Sequence, residues 1–98
     1  MSKKLHTQEM DMLMKGILSL ETVEECYSFF EDLCTVSELR SLGQRFEVAG
    51  MLKEGMTYHD VVEKTGASTA TISRVNRCLN YGNDGYEMVL KRLEEKKQ

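Results

Sequence analysis

The 98-residue sequence contains no proline, so nothing in it forbids long uninterrupted helices. No apolar run approaches the roughly 18 residues needed to cross a bilayer. Lys3 and Lys4 are followed by Glu9 and Asp11, so no signal-peptide apolar region forms and a cytoplasmic location without a membrane partner is expected. The three cysteines, Cys26, Cys34 and Cys78, include no Cys-x-x-Cys pair, and His6 and His59 lie far from them in sequence. Neither a disulfide framework nor a zinc site is signalled, and the thiols are expected to be reduced and buried as small hydrophobes. Catalytic groups are equally scarce. Adjacent His59 and Asp60 would point about 100° apart on a helix, and Cys78 has no histidine spaced to activate it. Gly82 and Gly85 bracket a polar turn without the lysine and hydroxyl of a phosphate loop, so no enzyme, metal or cofactor is expected.

One further absence is local. The net charge is −3, and residues 9–54 hold ten acids against four bases, yet residues 64–83 contain Lys64, Arg74 and Arg77 and no acid. An acidic body with one segment cleared of negative charge permits contact with phosphates there while limiting non-specific adhesion elsewhere.

The residues that are present recur at spacings of three and four, which predicts an all-α fold of about six helices in one domain spanning 1–98. The first starts near Thr7 with Met10, Leu13, Met14, Ile17 and Leu18 as its stripe. Thr22 and Glu25 open the second as a capping box, with Val23, Cys26, Tyr27, Phe30, Leu33 and Cys34 on one face and an end near Cys34. Thr35 and Glu38 open the third, which carries Leu39, Leu42, Phe46, Ala49 and Leu52 and stops at Gly55. Phe29, Val48 and Met51 fall outside these stripes. A chain this short buries only about 60 to 65 per cent of its unfolded surface, so a second apolar face implies an interlocked homodimer. Asp84 and Glu87 have capping-box spacing for a last helix bearing Tyr86, Val89, Leu90 and Leu93. The charged tail from Glu94 to Gln98 is expected to fray.

Between these elements, the segment from Tyr58 reads YHDVVEKTGASTATISRVN. Thr57 and Asp60 cap a short helix, Gly66 permits a left-handed turn, and Ser68 caps a second helix lined by Ile72, Val75 and Leu79. Val61, Ala67, Ile72 and Val75 would hold the two together as a helix-turn-helix over about 57–81. Val62 departs from the small residue common at that point. Facing outward are Ala70, Ser73, Arg74 and Arg77, with Thr69 and Thr71 on the flanks. Small and hydroxyl side chains first, with arginines behind, suit the N-terminal end of a recognition helix in a major groove. The competing reading is a helical interaction module that keeps the hairpin without reading DNA.

Two stretches, SELRSLGQRFEVAGML (37–52) and GASTATISRVNRCL (66–79), resemble the Trp repressor family, most of all its YerC/YecD branch. The resemblance covers about two thirds of the chain, rests on the L-G-x-R and A-T-I-S-R cores, and implies an all-helical intertwined homodimer that binds operator DNA. It implies that Tyr58 and His59 approach phosphate or base, and that Ser68, Thr69, Ala70, Thr71 and Ser73 form the reading end. Carried over position by position, the family's effector pocket falls on Arg45, Arg74 and Cys78, with its lip near Leu33 and Thr35. Arginine forks suit an amino-acid or other small carboxylate. Arg45 could instead pair with Glu38 or Glu47, and Arg74 with a DNA phosphate. Cys78 is a poor substitute for a serine hydroxyl, and Val75 stands where the tryptophan-binding members have glycine, which argues against tryptophan as the effector. The branch implies a repressor of amino-acid biosynthesis genes, with histidine the candidate pathway.

Overall fold

Hydroxyl caps punctuate the chain. In a computed structural model that describes residues 4–97, six helices follow in order: α1 (Gln8–Leu18), α2 (Val23–Leu33), α3 (Val36–Lys53), α4 (Tyr58–Thr65), α5 (Thr69–Tyr81) and α6 (Gly85–Lys96). No strand occurs among the described residues; Lys3 and Gln98 lie outside them. The chain forms two units, Met1–Leu39 and Arg40–Gln98, with α3 beginning in the first and continuing through the second.

In the first unit Thr7 Oγ1 accepts the Met10 N–H at 3.2 Å and Thr22 Oγ1 accepts the Glu25 N–H at 3.0 Å. Glu25 reaches back one residue further than a capping box requires, its Oε1 accepting the Glu21 N–H at 2.8 Å. The extended Thr22 backbone sets that N–H over the first turn. Thr35 and Glu38 form the full reciprocal box, at 3.1 Å from the Glu38 N–H to the Thr35 hydroxyl and 2.8 Å from the Thr35 N–H to the carboxylate. Neither α1 nor α2 contains a buried residue. Met10, Leu13 and Ile17 are half-buried, but Leu18 is 83 % exposed, Met12 67 % and Tyr27 65 %. Phe29 is half-buried edge-on to Phe30, their ring centroids 5.5 Å apart.

The second unit holds the buried core: Val48 and Ala49 of α3, Val61 of α4, Ala67 of the turn, and Ile72 and Val75 of α5. Met51, Leu52, Met56, Val62, Leu79, Tyr86 and Leu90 pack around them. Val48, expected on an outer face for a second subunit, is instead fully buried within one chain. It fills the space between α3 and the helical hairpin, and Met51 packs beside it, so the exposed apolar side chains are others: those of α1 and α2, with Val36 and Leu42 of α3 and Met88, Val89 and Leu93 of α6. The end of α3 is a Schellman motif. Gly55 takes φ +89°, its N–H donates to the Leu52 carbonyl at 3.0 Å, and the Met56 N–H donates to the Met51 carbonyl at 3.1 Å.

Three other expectations are corrected. Asp84 sits at the start of α6 in left-handed backbone, φ 63°, and its side chain makes no cap bond. That backbone removes the extended conformation from which a cap side chain reaches the first turn. The last helix does not stop at Glu94: α6 continues to Lys96. The cysteines are not core residues: Cys26 and Cys78 are exposed and Cys34 is half-buried, all three as free thiols, because the apolar faces that carry them are themselves uncovered in one chain.

Hydrogen bonds from Thr35, backbone first and then side chain, hold the Glu38 carboxyl below the usual carboxylate range. The charged form is favoured by folding, so this box stabilises fully above the unfolded-state pKa and is lost as pH falls through the lower folded value. Glu38→Gln keeps a box-competent side chain without the titration. Over the carboxylate range, about pH 5 to 3, urea midpoints of the wild type should therefore fall more steeply than those of Glu38→Gln; parallel curves would show that the box carries no such linkage.

Candidate nucleic-acid interface

The helical hairpin is fixed from inside. Val61 and Ile72 have no exposed surface, Val75 has 1 % and Ala67 2 %, so α4 and α5 are locked to α3 through their inner faces. Gly66 closes α4 with φ +72°, a conformation that an L side chain enters only with strain. The Thr65 hydroxyl ties the turn. It donates to the Val61 carbonyl at 2.7 Å and accepts the Ala67 N–H at 3.1 Å. From α3, Gln44 donates to the Thr65 carbonyl at 3.3 Å. The Gln44 tether spans 21 residues, so no local pattern announces it; the Thr65 hydroxyl was legible as a side-chain turn before Gly66.

The outer face of this scaffold is in water. Ser68, Thr69, Ala70, Ser73, Arg74 and Arg77 are exposed, Thr71 is half-buried, and Tyr58 and His59 are exposed at the first turn of α4. The Thr57 hydroxyl accepts the Asp60 N–H at 3.1 Å and so sets that turn. His59 Nε2 lies 4.0 Å from the Glu63 carboxylate, with both side chains largely exposed. On α5 the Ser68 Oγ accepts the Thr71 N–H at 3.1 Å and donates to the Thr71 Oγ1 at 3.1 Å. Further along, Asn80 donates to the Asn76 carbonyl at 2.9 Å. Tyr81, 88 % exposed, closes the same face and was not anticipated.

The residues carried over as an effector pocket are less gathered. Leu33 and Thr35 belong to the first unit, where the Thr35 carbonyl accepts the Leu39 N–H at 3.0 Å. In the second unit Arg45 is half-buried, and among the described residues it forms no ion pair with an acid. Arg74 and Cys78 are exposed. Cys78 lines an open, largely apolar groove of about 590 Å³ with Phe46, Tyr86 and Val89, and neither arginine is among its lining residues. Phe46 and Tyr86 stack there with centroids 6.4 Å apart. At its edge, a Cβ on Gly82 would run into the Cys78 carbonyl, so glycine is required by close approach rather than by φ. Among the described residues no cluster of potential metal ligands occurs, and no helix is long and apolar enough to cross a membrane.

A core that locks two short helices by their inner faces and leaves a hydroxyl-and-arginine face free is the geometry of a helix-turn-helix, and the family model for the Trp repressor protein matches residues 8–94. The chain belongs to the Trp repressor family. It is 64 % identical over 92 residues to the uncharacterized protein YerC of Bacillus subtilis (strain 168), covering 94 % of this chain and 88 % of YerC. A TrpR like protein from Eubacterium eligens ATCC 27750 superimposes with a TM-score of 0.92 at 62 % identity, over 95 % of this chain and 96 % of that one. A candidate Trp repressor from Staphylococcus aureus gives 0.91 at 54 % identity, over 94 % and 92 %. The Trp repressor family sets DNA-binding regulation as the general class of function, and its members are regulators rather than enzymes.

The cap of α5 gives a stability test. Ser68→Ala should cost about 1 kcal/mol and Ser68→Gly only a few tenths, read from denaturant midpoints at constant protein concentration. No loss in Ser68→Ala would mean that the Ser68 hydroxyl is not the cap on which α5 depends.

Proposed function

We propose that this protein is a homodimeric transcription repressor that places α5 in the major groove of double-stranded operator DNA. The observation that carries the reading is the face from Ser68 to Arg77, exposed along its length on helices whose opposite side is buried. The charge pattern supports it, because phosphate contact is favoured where Lys64, Arg74 and Arg77 stand without an acid between residues 64 and 83. Ala70, Ser73 and Thr69 let the backbone approach base edges, while Arg74, Arg77, Tyr58 and His59 meet the flanking phosphates.

Homodimerisation supplies what α1 and α2 lack in one chain. Their apolar residues, Met12, Met14, Leu18, Val23 and Tyr27 among them, are exposed, and such a surface is withdrawn from water by a partner of the same fold. Two recognition helices on a twofold axis would enter successive major grooves about 34 Å apart. A selected DNA fragment should therefore bind two chains, with half-sites one helical turn apart. Arg77→Ala should weaken binding on all sequences and lower the salt slope by about 1. Anisotropy titrations that find no salt-sensitive, sequence-selective complex, or no change for Arg77→Ala and Thr71→Ala, would overturn the reading and favour an interaction module.

The effector is a small carboxylate, and the regulated genes serve amino-acid biosynthesis, histidine being the candidate pathway. The support is Arg45, half-buried without an acidic partner, and Arg74 on the next helix but one. By resemblance to the family, Leu33, Thr35 and Cys78 are the further positions such an effector would use. Val75, buried in the core, stands against tryptophan. An amino-acid panel checks this by thermal shift, since a ligand at 100 times its dissociation constant adds about 2.7 kcal/mol to the folded state. One carboxylate should stabilise the wild type and not Arg45→Ala; a flat response would exclude an amino-acid effector.

A further inference from the structure

Building on the DNA-binding reading, we infer that Ser68 is a positioning residue that fixes Thr71 as a hydrogen-bond donor toward DNA. The Thr71 N–H donates to the Ser68 Oγ at 3.1 Å, and the two hydroxyl oxygens lie 3.1 Å apart, which lets the Ser68 hydroxyl donate back to the Thr71 Oγ1. A hydroxyl that has accepted an N–H is polarised and becomes a better donor, so the two bonds reinforce each other in this direction. Each hydroxyl carries one hydrogen and two acceptor lone pairs. With Ser68 occupying a lone pair of Thr71 Oγ1, the Thr71 hydrogen remains for an outside partner, and among the described residues no protein acceptor takes it.

Thr71 is half-buried between Ala70 and the core residue Ile72, and its β-branched side chain has few rotamers on a helix. Its hydroxyl is therefore limited in direction as well as in polarity. A fixed donor matches acceptors: a phosphate oxygen, or a base edge such as purine N7, guanine O6 or thymine O4. It mismatches the amino groups of adenine and cytosine. Ser68 thus has two separable roles, a cap for the helix backbone and an orienter of the Thr71 hydroxyl.

A double-mutant cycle separates them, using a fragment selected by the wild-type protein from a random-sequence pool. Ser68→Gly and Thr71→Val should each weaken binding about three- to ten-fold, the range of one hydrogen bond. The double variant should bind as Thr71→Val alone does, and Ser68→Thr should restore wild-type affinity. Thermal stability provides the internal control. Because the Thr71 N–H survives in Thr71→Val, Ser68→Gly should still lower stability in that background while no longer lowering DNA affinity there.

On modified fragments, the Thr71→Val penalty should vanish at one methylphosphonate if the acceptor is a phosphate, or at one 7-deazapurine if it is a base edge. A penalty that vanishes only when an adenine amino group is removed overturns the inference. So does a Ser68→Gly penalty that is absent, or that persists undiminished beside Thr71→Val, while the wild type still binds. If the wild type selects no fragment, the DNA-binding reading fails and this inference with it.

Discussion

Burial of Ile72 and Val75 against Val48, Ala49 and Val61 is the contact on which the rest of the second unit depends. A 13-residue helix such as α5 is marginal alone in water. Its inner side supplies the apolar stripe and its outer side supplies none, so its rotation about its own axis is set by the core. That rotation decides which residues face outward. The Gly66 turn and the Thr65 hydroxyl set where α5 begins, and Gln44 fixes the turn to α3. The orientation of the outer face is thus an indirect product of apolar packing and a few hydrogen bonds behind it.

Much of this was legible in the sequence because it is local. Thr7, Thr22, Thr35, Thr57 and Ser68 each cap where the spacing places them, and Gly55 and Gly66 both take positive φ. Val61, Ala67, Ile72 and Val75 form the core of the hairpin as the three-and-four pattern predicts. The interval between Lys64 and Asn83, free of acids, maps onto the end of α4, the turn and α5 together.

What was not legible depends on partners distant in sequence. Val48 lies off the stripe of α3, and periodicity cannot say whether such a residue meets its own chain or another; here it meets α4 and α5. Asp84 has the spacing of a capping residue but not the backbone, which is left-handed there. The cysteines lie on apolar faces, yet burial follows coverage rather than hydropathy. For the proposed effector site, the resemblance transfers residue identities only: Leu33 and Thr35 belong to the first unit, and Arg45, Arg74 and Cys78 to the second. The Phe46–Tyr86 groove arises from α3 and α6 meeting, a contact 40 residues apart that no motif encodes.

The division of α5 into a buried side and a wet side has a consequence for how such proteins diverge. Ala70, Ser73, Arg74 and Arg77 contribute nothing to the core, and surface substitutions of that kind typically shift stability by no more than about 0.5 kcal/mol. Selection can therefore exchange them without repairing the fold after each step. Ser68 and Thr71 are less free, because one change there touches both the helix start and the neighbouring hydroxyl. High identity between two such chains then reports inheritance of the scaffold. Inheritance of a regulon rests on a handful of side chains that can drift on their own.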